Sequence, residues 1–340
     1  MYSFKNDYSE GAHPQILEAL NKTNFEQEEG YGEDTYCKQA IEVLKEMIGQ
    51  ETADIHFFVG GTQTNLTSIA AFLRPHEAVI SVESGHVCVH ETGAIEATGH
   101  KVVTMPGVDG KLTVADVESA VTNHSDEHMV KPKLVYISNS TEVGTIYTRS
   151  ELVALRECCN RHNLYFYLDG ARLGSALTSA ANDLTLSDLG ELLDAFYIGA
   201  TKNGALFGEA LIICNGALKS DFRYMIKQRG GLLAKGRLLG IQFLELFKDG
   251  LYFDLATHAN EMACKLSKGI EEAGHGFLTE SPSNQVFPIL PKEIVEQLEE
   301  KYSFYRWQDI DGKIAIRLIT SWATKEDMVE AFIEDVKTMS

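Results

Sequence analysis

The sequence has little positive charge. Its 30 lysines and arginines are outnumbered by 49 aspartates and glutamates, which gives a formal net charge of −19. Because nucleic-acid binding requires a basic surface, this composition argues against a nucleic-acid partner. The chain also has no apolar run close to the ~18 residues that a membrane-spanning helix requires. The sequence therefore predicts neither a nucleic-acid-binding protein nor a membrane protein.

Cysteine spacing and the amino-terminal segment exclude further classes. The six cysteines include no C-x-x-C pair and form no disulfide framework, so we expect reduced thiols. The first ten residues, MYSFKNDYSE, lack the basic and apolar regions of a secretory signal. Together these observations predict a cytoplasmic location.

Apolar runs alternate with helical patterns from about residue 35 to residue 215. The runs, near-continuous as in strands buried on both faces, occupy residues 55–59, 78–82, 134–137, 164–168, 195–198 and 210–214. This alternation predicts an α/β fold with a mostly parallel sheet.

The pattern changes after about residue 250. Helical patterns there surround strands near Val286 and at residues 313–320, which predicts a smaller α+β domain. We expect a large α/β domain over residues 31–248, a small C-terminal domain over residues 249–340, and an N-terminal arm over residues 1–30.

Two charged residues follow neighbouring strands of the predicted sheet. Asp169 ends the run at residues 164–168, and Lys202 comes shortly after the run at 195–198. The carboxyl ends of parallel strands share the edge where such sheets bind ligands. A carboxylate and a lysine at this edge fit pyridoxal 5′-phosphate (PLP), whose pyridinium pairs with the acid and whose aldehyde forms a Schiff base with the amine. The alternative is a helix-capping aspartate and a solvated lysine.

A glycine turn offers a place for a phosphate. Gly60-Gly61-Thr62-Gln63 stands between the strand at 55–59 and an apolar helix, where backbone N–H groups can approach an anion and Thr62 or Gln63 can add a donor. A simple strand-to-helix turn is the alternative. The turn has neither a Walker A nor a G-x-G-x-x-G pattern, so a nucleotide is not favoured.

Two further features point to ligand contacts. His86 and His90 stand four residues apart, a spacing that allows metal binding, but no third ligand follows. We prefer His86 stacked on a flat cofactor ring, and His90 as a structural residue. Arg317 lies in an apolar strand, where it suits a substrate carboxylate or, alternatively, an internal salt bridge.

These sequence features, in the order in which they occur along the chain, resemble the threonine aldolase branch of the β-eliminating lyase family. The resemblance runs from about Asn6 to the final helix. It is carried by Tyr31-Gly32-Glu33-Asp34, Gly61-Thr62-Gln63-Thr64-Asn65-Leu66, Asp169-Gly170-Ala171-Arg172, Thr201-Lys202 and Ile316-Arg317-Leu318-Ile319. It implies the aspartate-aminotransferase fold (PLP fold type I) and cleavage of a β-hydroxy-α-amino acid to glycine and an aldehyde.

The resemblance also implies a role for each matching residue. Lys202 carries the cofactor, Asp169 pairs with its pyridine nitrogen, His86 stacks on its ring and serves as a base, directly or through a water, and Gly61 and Thr62 hold its phosphate. Arg172, beside the cofactor, and Arg317 bind the substrate carboxylate. Tyr31 reaches a neighbouring subunit's site in a dimer or tetramer, and Lys227 and Arg229 match loosely the basic residues near that site's phosphate.

The chain departs from the family at three positions. Asn6 stands where many members have a carboxylate-binding serine, Glu142 stands where many have a histidine, and Lys202 follows Thr201 rather than a serine and precedes Asn203 rather than a glycine. Other functions remain open on the sequence: β-elimination or transamination with the same cofactor, a binding or regulatory protein without turnover, and a metal-dependent aldolase using His86 and His90.

Overall fold

A seven-stranded sheet forms the centre of the computed structural model, which describes residues 1–340. The strands are β1 (Tyr2–Ser3), β2 (Asp54–Phe58), β3 (Glu77–Val82), β4 (Val102–Met105), β5 (Lys131–Ser138), β6 (Tyr165–Asp169), β7 (Ala195–Gly199), β8 (Glu209–Ile213), β9 (Gly276–Phe277), β10 (Gln285–Val286), β11 (Pro288–Pro291), β12 (Tyr302–Ser303), β13 (Tyr305–Ile310) and β14 (Lys313–Ile319).

Helices cover the sheet and form most of the connections. They are α1 (Pro14–Lys22), α2 (Thr35–Ile48), α3 (Gly61–Phe72), α4 (His86–Val89), α5 (Val114–Thr122), α6 (Arg149–His162), α7 (Leu173–Leu177), α8 (Leu186–Leu192), α9 (Phe222–Gln228), α10 (Arg237–Phe247), α11 (Leu251–Glu272), α12 (Lys292–Leu298) and α13 (Glu326–Met339). None of them is both long and apolar enough to cross a membrane.

The central sheet has the order β2-β8-β7-β6-β5-β3-β4. Only β8 runs antiparallel to its neighbours β2 and β7, so the predicted mostly parallel sheet is confirmed. Every residue of β3, β7 and β8 is buried, as the continuous apolar runs of these strands require.

Capping boxes start three of the surrounding helices. Thr113, Thr148 and Thr185 each accept a hydrogen bond from the backbone three residues on, and an acidic side chain at that position bonds back to the threonine N–H. Each such cap stabilises its helix by about 1 kcal/mol. These local signals fix where α5, α6 and α8 begin.

A second, antiparallel sheet of order β10-β14-β11-β9, with β13 paired to β14, lies in the C-terminal part of the chain. The predicted strands near Val286 and at 313–320 correspond to β10 and β14. α11, α12 and α13 enclose a separate hydrophobic core on this sheet.

The N-terminal segment contacts both parts of the molecule. β1 pairs with β12, and Phe4 lies fully buried in the C-terminal core. Farther along, the backbone of His13 donates to the carbonyl of Gly204, beside the central sheet. Residues 4–13 therefore cross from one sheet to the other, past the carboxyl edge of β6 and β7.

Candidate active site

The carboxyl edge of β2, β6 and β7 opens into a cavity of about 780 Å³. This volume suits a cofactor-sized ligand. Gly61, His86 and Lys202 line it from the central sheet, and Trp307 and Arg317 line it from the C-terminal sheet. Both sheets therefore contribute side chains to one site.

Asp169 ends β6 and is held by four donors. The hydroxyls of Tyr136 and Tyr197, Asn65 Nδ2 at 2.9 Å and the backbone N–H of Ala171 at 3.0 Å all donate to its carboxylate. Burial alone would raise the pKa of Asp169, but the nearby charge of His86 and these hydrogen bonds lower it. The carboxylate is therefore kept ionised inside the protein.

Lys202 lies in the loop after β7, on the same edge as Asp169. The two strand ends approach closely because position 170 is glycine: a Cβ there would lie 1.9 Å from the carbonyl oxygen of Tyr197. Burial lowers the pKa of Lys202, and the charge of Arg172 lowers it further, against the opposing charges of Asp7 and Glu142. The amine makes no ion pair and is well placed for nucleophilic chemistry.

A hydrogen-bond network joins His86 to Asp169. His86 Nδ1 lies 2.8 Å from Glu91 Oε1, and Asn65 Nδ2 donates to both Glu91 and Asp169. His86, Glu91 and Asp169 also lie close enough together to suggest a metal site. However, the amide N–H groups of Asn65 point at both carboxylates, where a cation would repel them, so the network accounts for the cluster.

The turn after β2 presents an uncapped helix end to the cavity. α3 begins at Gly61 without a side-chain cap, so its first-turn N–H groups are available to an anion. Thr62 lines the cavity, whereas Gln63 Nε2 donates to the carbonyl of Arg229, 3.1 Å away, and is not part of the lining. Of the two predicted side-chain donors, only Thr62 faces the cavity.

The two arginines differ in their partners. Arg172 forms a buried ion pair with Asp7, with Nε 2.8 Å from Oδ2 and Nη2 3.1 Å from Oδ1. Arg317 has no acidic partner: Nη2 donates to the amide oxygen of Gln285, and Nε is buried without a hydrogen bond. Burial, reinforced by the charge of Arg172, lowers the pKa of Arg317 to about 10. The salt-bridge interpretation of Arg317 is therefore wrong, and its guanidinium is free for an anion.

Comparison with known proteins agrees with this geometry. Residues 6–291 match the family model of the beta-eliminating lyases. The chain belongs to the β-eliminating lyase family. It is 30% identical to the low specificity L-threonine aldolase of a Pseudomonas species, over 99% of this chain and 97% of that protein.

Solved structures of a threonine aldolase and of an aspartate aminotransferase share the fold of this chain. The threonine aldolase of Leishmania major superposes with a TM-score of 0.99 at 54% identity, over 100% of this chain and 99% of the other. The aspartate aminotransferase of Thermus thermophilus gives a TM-score of 0.75 at 16% identity, over 100% and 92% of the two chains. The predicted fold type I architecture is thereby confirmed.

Two residues singled out from the family pattern lie outside the cavity wall. The side chain of Asn6 is used locally, since its Oδ1 accepts from the backbone of Tyr8 and from the hydroxyl of Ser9. Tyr8 lines the cavity instead. Tyr31 borders a different groove, with Lys227 Nζ 4.6 Å from its ring centroid. It does not reach the active-site cavity of its own chain.

Sequence reasoning assigned no role to several residues of the site. Asp7, Asn65, Glu91 and Glu209 are all buried and all contact or flank the predicted residues. Burial raises the pKa of Glu209 to about 8, although the charge of Lys202 opposes this. Two sequence signals pointed to them, the family stretch that contains Asn65 and the short segment in which Glu91 follows His86 and His90. Neither signal reveals the burial of a single acid or its partner.

Proposed function

We propose that this protein is a PLP-dependent lyase that cleaves a β-hydroxy-α-amino acid of the L-threonine type to glycine and an aldehyde. The observation that carries the proposal is the meeting of Lys202 with Arg317, a buried cation without an acid, in one cavity. The ionised Asp169 ends the strand next to that of Lys202, at the same edge of the sheet. The names of the relatives, threonine aldolases from Pseudomonas and Leishmania, support the same reaction.

The residues present fit PLP. Lys202 supplies an amine for its aldehyde, Asp169 a carboxylate for its ring nitrogen, and His86 an imidazole for its ring. The open start of α3, with Gly61 and Thr62, suits its phosphate. When bound, PLP supplies an electron sink for the electron pair released at the substrate's Cα.

The arginines orient the substrate. Arg317, free of any acid, binds the substrate carboxylate in this proposal, and Arg172 assists from its fixed position beside Asp7. When the carboxylate is held in this way, the direction of the Cα–Cβ bond is fixed as well. Cleavage of that bond requires a defined orientation.

The protein also acts, in this proposal, as a cytoplasmic homodimer or homotetramer whose subunits share active sites. Tyr31 is 45% exposed away from its own cavity, and Tyr224 is 76% exposed on the nearby α9. Such aromatic surfaces are typical of subunit contacts. All six cysteines are free, as a reducing compartment favours.

The test is product formation by the purified protein saturated with PLP. We expect glycine and acetaldehyde in equal amounts from L-threonine or L-allo-threonine. 2-Oxobutanoate with ammonia would instead indicate β-elimination of these substrates, and a requirement for a keto acid acceptor would indicate transamination. Either of these results without aldehyde would contradict the proposal.

A further inference from the structure

Glu142 is a carboxylate without a partner in the active-site cavity. It is only 9% exposed, yet it forms no ion pair or hydrogen bond, and it lines the cavity beside Lys202 and Arg317. Both of its carboxylate oxygens remain accessible to solvent, and the solvent that reaches them is that of the cavity. An acid sheltered from bulk water and left without a protein donor is available to a ligand.

The loop that carries Glu142 is held rigidly. Backbone bonds join Thr141 to Thr145 and Gly144 to Thr141, at 2.9 and 3.0 Å. The amide of Gln285 links this loop to the carboxylate site: its Nε2 donates to the carbonyl of Thr141 at 3.0 Å, while its Oε1 accepts from Arg317. One side chain therefore sets Glu142 in position relative to the arginine that binds the substrate carboxylate.

Aldol cleavage requires a group that accepts the proton of the β-hydroxyl. Asp169 is already surrounded by donors, and Lys202 is committed to the cofactor. Although burial opposes it, the hydrogen bond to Glu91 raises the pKa of His86, which favours a histidine that keeps its proton. Glu209 also favours its protonated form, because burial raises its pKa to about 8.

Glu142 and His90 are the remaining acceptors that line the cavity. Their environments differ, since His90 is exposed while Glu142 is buried. A proton transfer next to a breaking bond is favoured at a sheltered, fixed group over an exposed one.

We propose that Glu142 accepts the proton of the substrate's β-hydroxyl; this inference rests on the proposed function. The proton passes from the hydroxyl to a carboxylate oxygen of Glu142, and the O–H electron pair forms the C=O bond of the aldehyde. The Cα–Cβ bond breaks and its electron pair goes to Cα, for which PLP would supply the electron sink. Cα then takes up one proton and Glu142 releases one to solvent, so no net proton is consumed.

With Glu142 as the proton acceptor, this part of the cavity selects one class of substrate. A carboxylate acceptor acts only on amino acids that carry a β-hydroxyl group. Glycine, which has no side chain, still binds through its carboxylate and amino groups, and its binding does not depend on Glu142.

The experiment compares wild type, Glu142→Gln, Glu142→Asp and His90→Asn, each as the PLP-loaded holoenzyme. Aldehyde release from L-threonine and L-allo-threonine gives kcat, and the change of cofactor absorbance on adding glycine gives a dissociation constant. We expect Glu142→Gln to lower kcat by about 10²–10⁴-fold, the usual contribution of a general base. Its glycine affinity should stay within about threefold of wild type, and Glu142→Asp should be more active than Glu142→Gln.

Several results would overturn the inference. These are a Glu142→Gln enzyme within tenfold of wild-type kcat, equal losses of glycine affinity and kcat, a Glu142→Asp enzyme no better than Glu142→Gln, or loss of cleavage in His90→Asn alone. A wild-type enzyme that binds glycine but releases no aldehyde would reject the proposed function and the inference with it. Cleavage by wild type and Glu142→Gln alike would reject the inference alone.

Discussion

Glu91 Oε1 accepts a hydrogen bond from His86 Nδ1 across 2.8 Å, inside the network that leads to Asp169. Burial by itself would lower the pKa of His86. The hydrogen bond that His86 donates to Glu91 and the charge of Asp169 outweigh burial and raise the pKa. The second oxygen of Glu91 is buried without a hydrogen-bond partner. The hydrogen bonds of the carboxylate are therefore those that its Oε1 accepts from His86 and Asn65.

Replacing Glu91 by Gln should lower the pKa of His86. Folding raises the pKa of His86, so the protonated histidine stabilises the folded protein. This contribution to the free energy of unfolding is full below the ordinary histidine pKa of ~6.5 and is lost as pH rises through the raised pKa. We expect the variant to be less stable by about 1.5–3 kcal/mol near pH 6, with the difference shrinking at higher pH. Histidine NMR titration and urea unfolding measure both effects. The exposed Glu96→Gln is the control, and a pH-independent difference would contradict the expectation.

Arg317→Met should separate substrate binding from stability. The guanidinium is buried without an acid, so its removal leaves no unpaired charge. The buried amide oxygen of Gln285 loses its donor, so the free energy of unfolding should fall by no more than about 1–3 kcal/mol. The substrate carboxylate loses a charge-assisted bond of about 1.5–3 kcal/mol, which corresponds to a KM roughly 10–150 times higher. Calorimetry and steady-state kinetics test this, with the exposed Arg161→Met as control. A loss of 3–5 kcal/mol in stability would restore the salt-bridge interpretation.

Asp7→Asn should destabilise the protein strongly. It leaves the buried Arg172 without its anion, a change that costs about 3–5 kcal/mol. Burial would raise the pKa of Asp7, but the charges of Arg172 and then Lys202 lower it. The contribution of ionised Asp7 to the free energy of unfolding is therefore full above the ordinary aspartate pKa of ~3.9 and is lost as pH falls through the lowered pKa. Urea unfolding from pH 7 to pH 2 should show this acid-side loss in wild type and a weaker one in Asp7→Asn. Glu118→Gln, in an exposed ion pair, should change stability by less than about 1 kcal/mol.

Gly61→Ala should weaken cofactor binding through a steric effect. A Cβ at this position would lie 2.8 Å from the hydroxyl of Tyr197, which itself bonds Asp169. We expect the apo protein to lose about 1–3 kcal/mol of unfolding free energy and the holoenzyme to bind PLP less tightly. At Gly60 a Cβ meets nothing within 4 Å, so the apo Gly60→Ala protein should lose less than about 1 kcal/mol. Equal losses in the two apo variants would rule out the contact as the cause.

Lys202→Ala should prevent covalent attachment of the cofactor. Reduction of the wild-type holoenzyme with borohydride, followed by peptide mass spectrometry, should locate a pyridoxyl group on Lys202. The variant should carry none and cleave no threonine, whereas the surface variant Lys248→Ala should be labelled normally. A pyridoxyl group on a different lysine in the wild-type protein would reject Lys202 as the attachment point.

The sequence indicated correctly which elements bring Asp169 and Lys202 together. Each follows a continuous apolar run, and the carboxyl ends of adjacent parallel strands share one edge. The glycine between Asp169 and Ala171 adds a local requirement, since only a residue without a Cβ fits against Tyr197. Arg317 was recognisable for a similar reason, as a charge inside an apolar strand.

The partners of these residues were not recognisable. Asn6 was expected at the substrate, whereas Asp7 and Tyr8 take the positions beside Arg172 and in the cavity. A shift of one or two residues in an irregular segment leaves no mark on hydrophobic periodicity. Glu91 and Glu142 are likewise single acids in short loops, where a buried and an exposed carboxylate look the same in sequence.

The sequence by itself determined the sheet, its functional edge and the residues that end its strands, because buried strands and caps are set by local runs of side chains. Only the tertiary structure decided which charges are paired. Asp7 meets Arg172 across 165 residues, Gln285 joins Arg317 to the loop of Glu142, and Arg317 itself has no acid. These outcomes depend on how the N-terminal segment and the C-terminal sheet pack against the central sheet, and the electrostatics of a buried group follow from distances that no local pattern encodes.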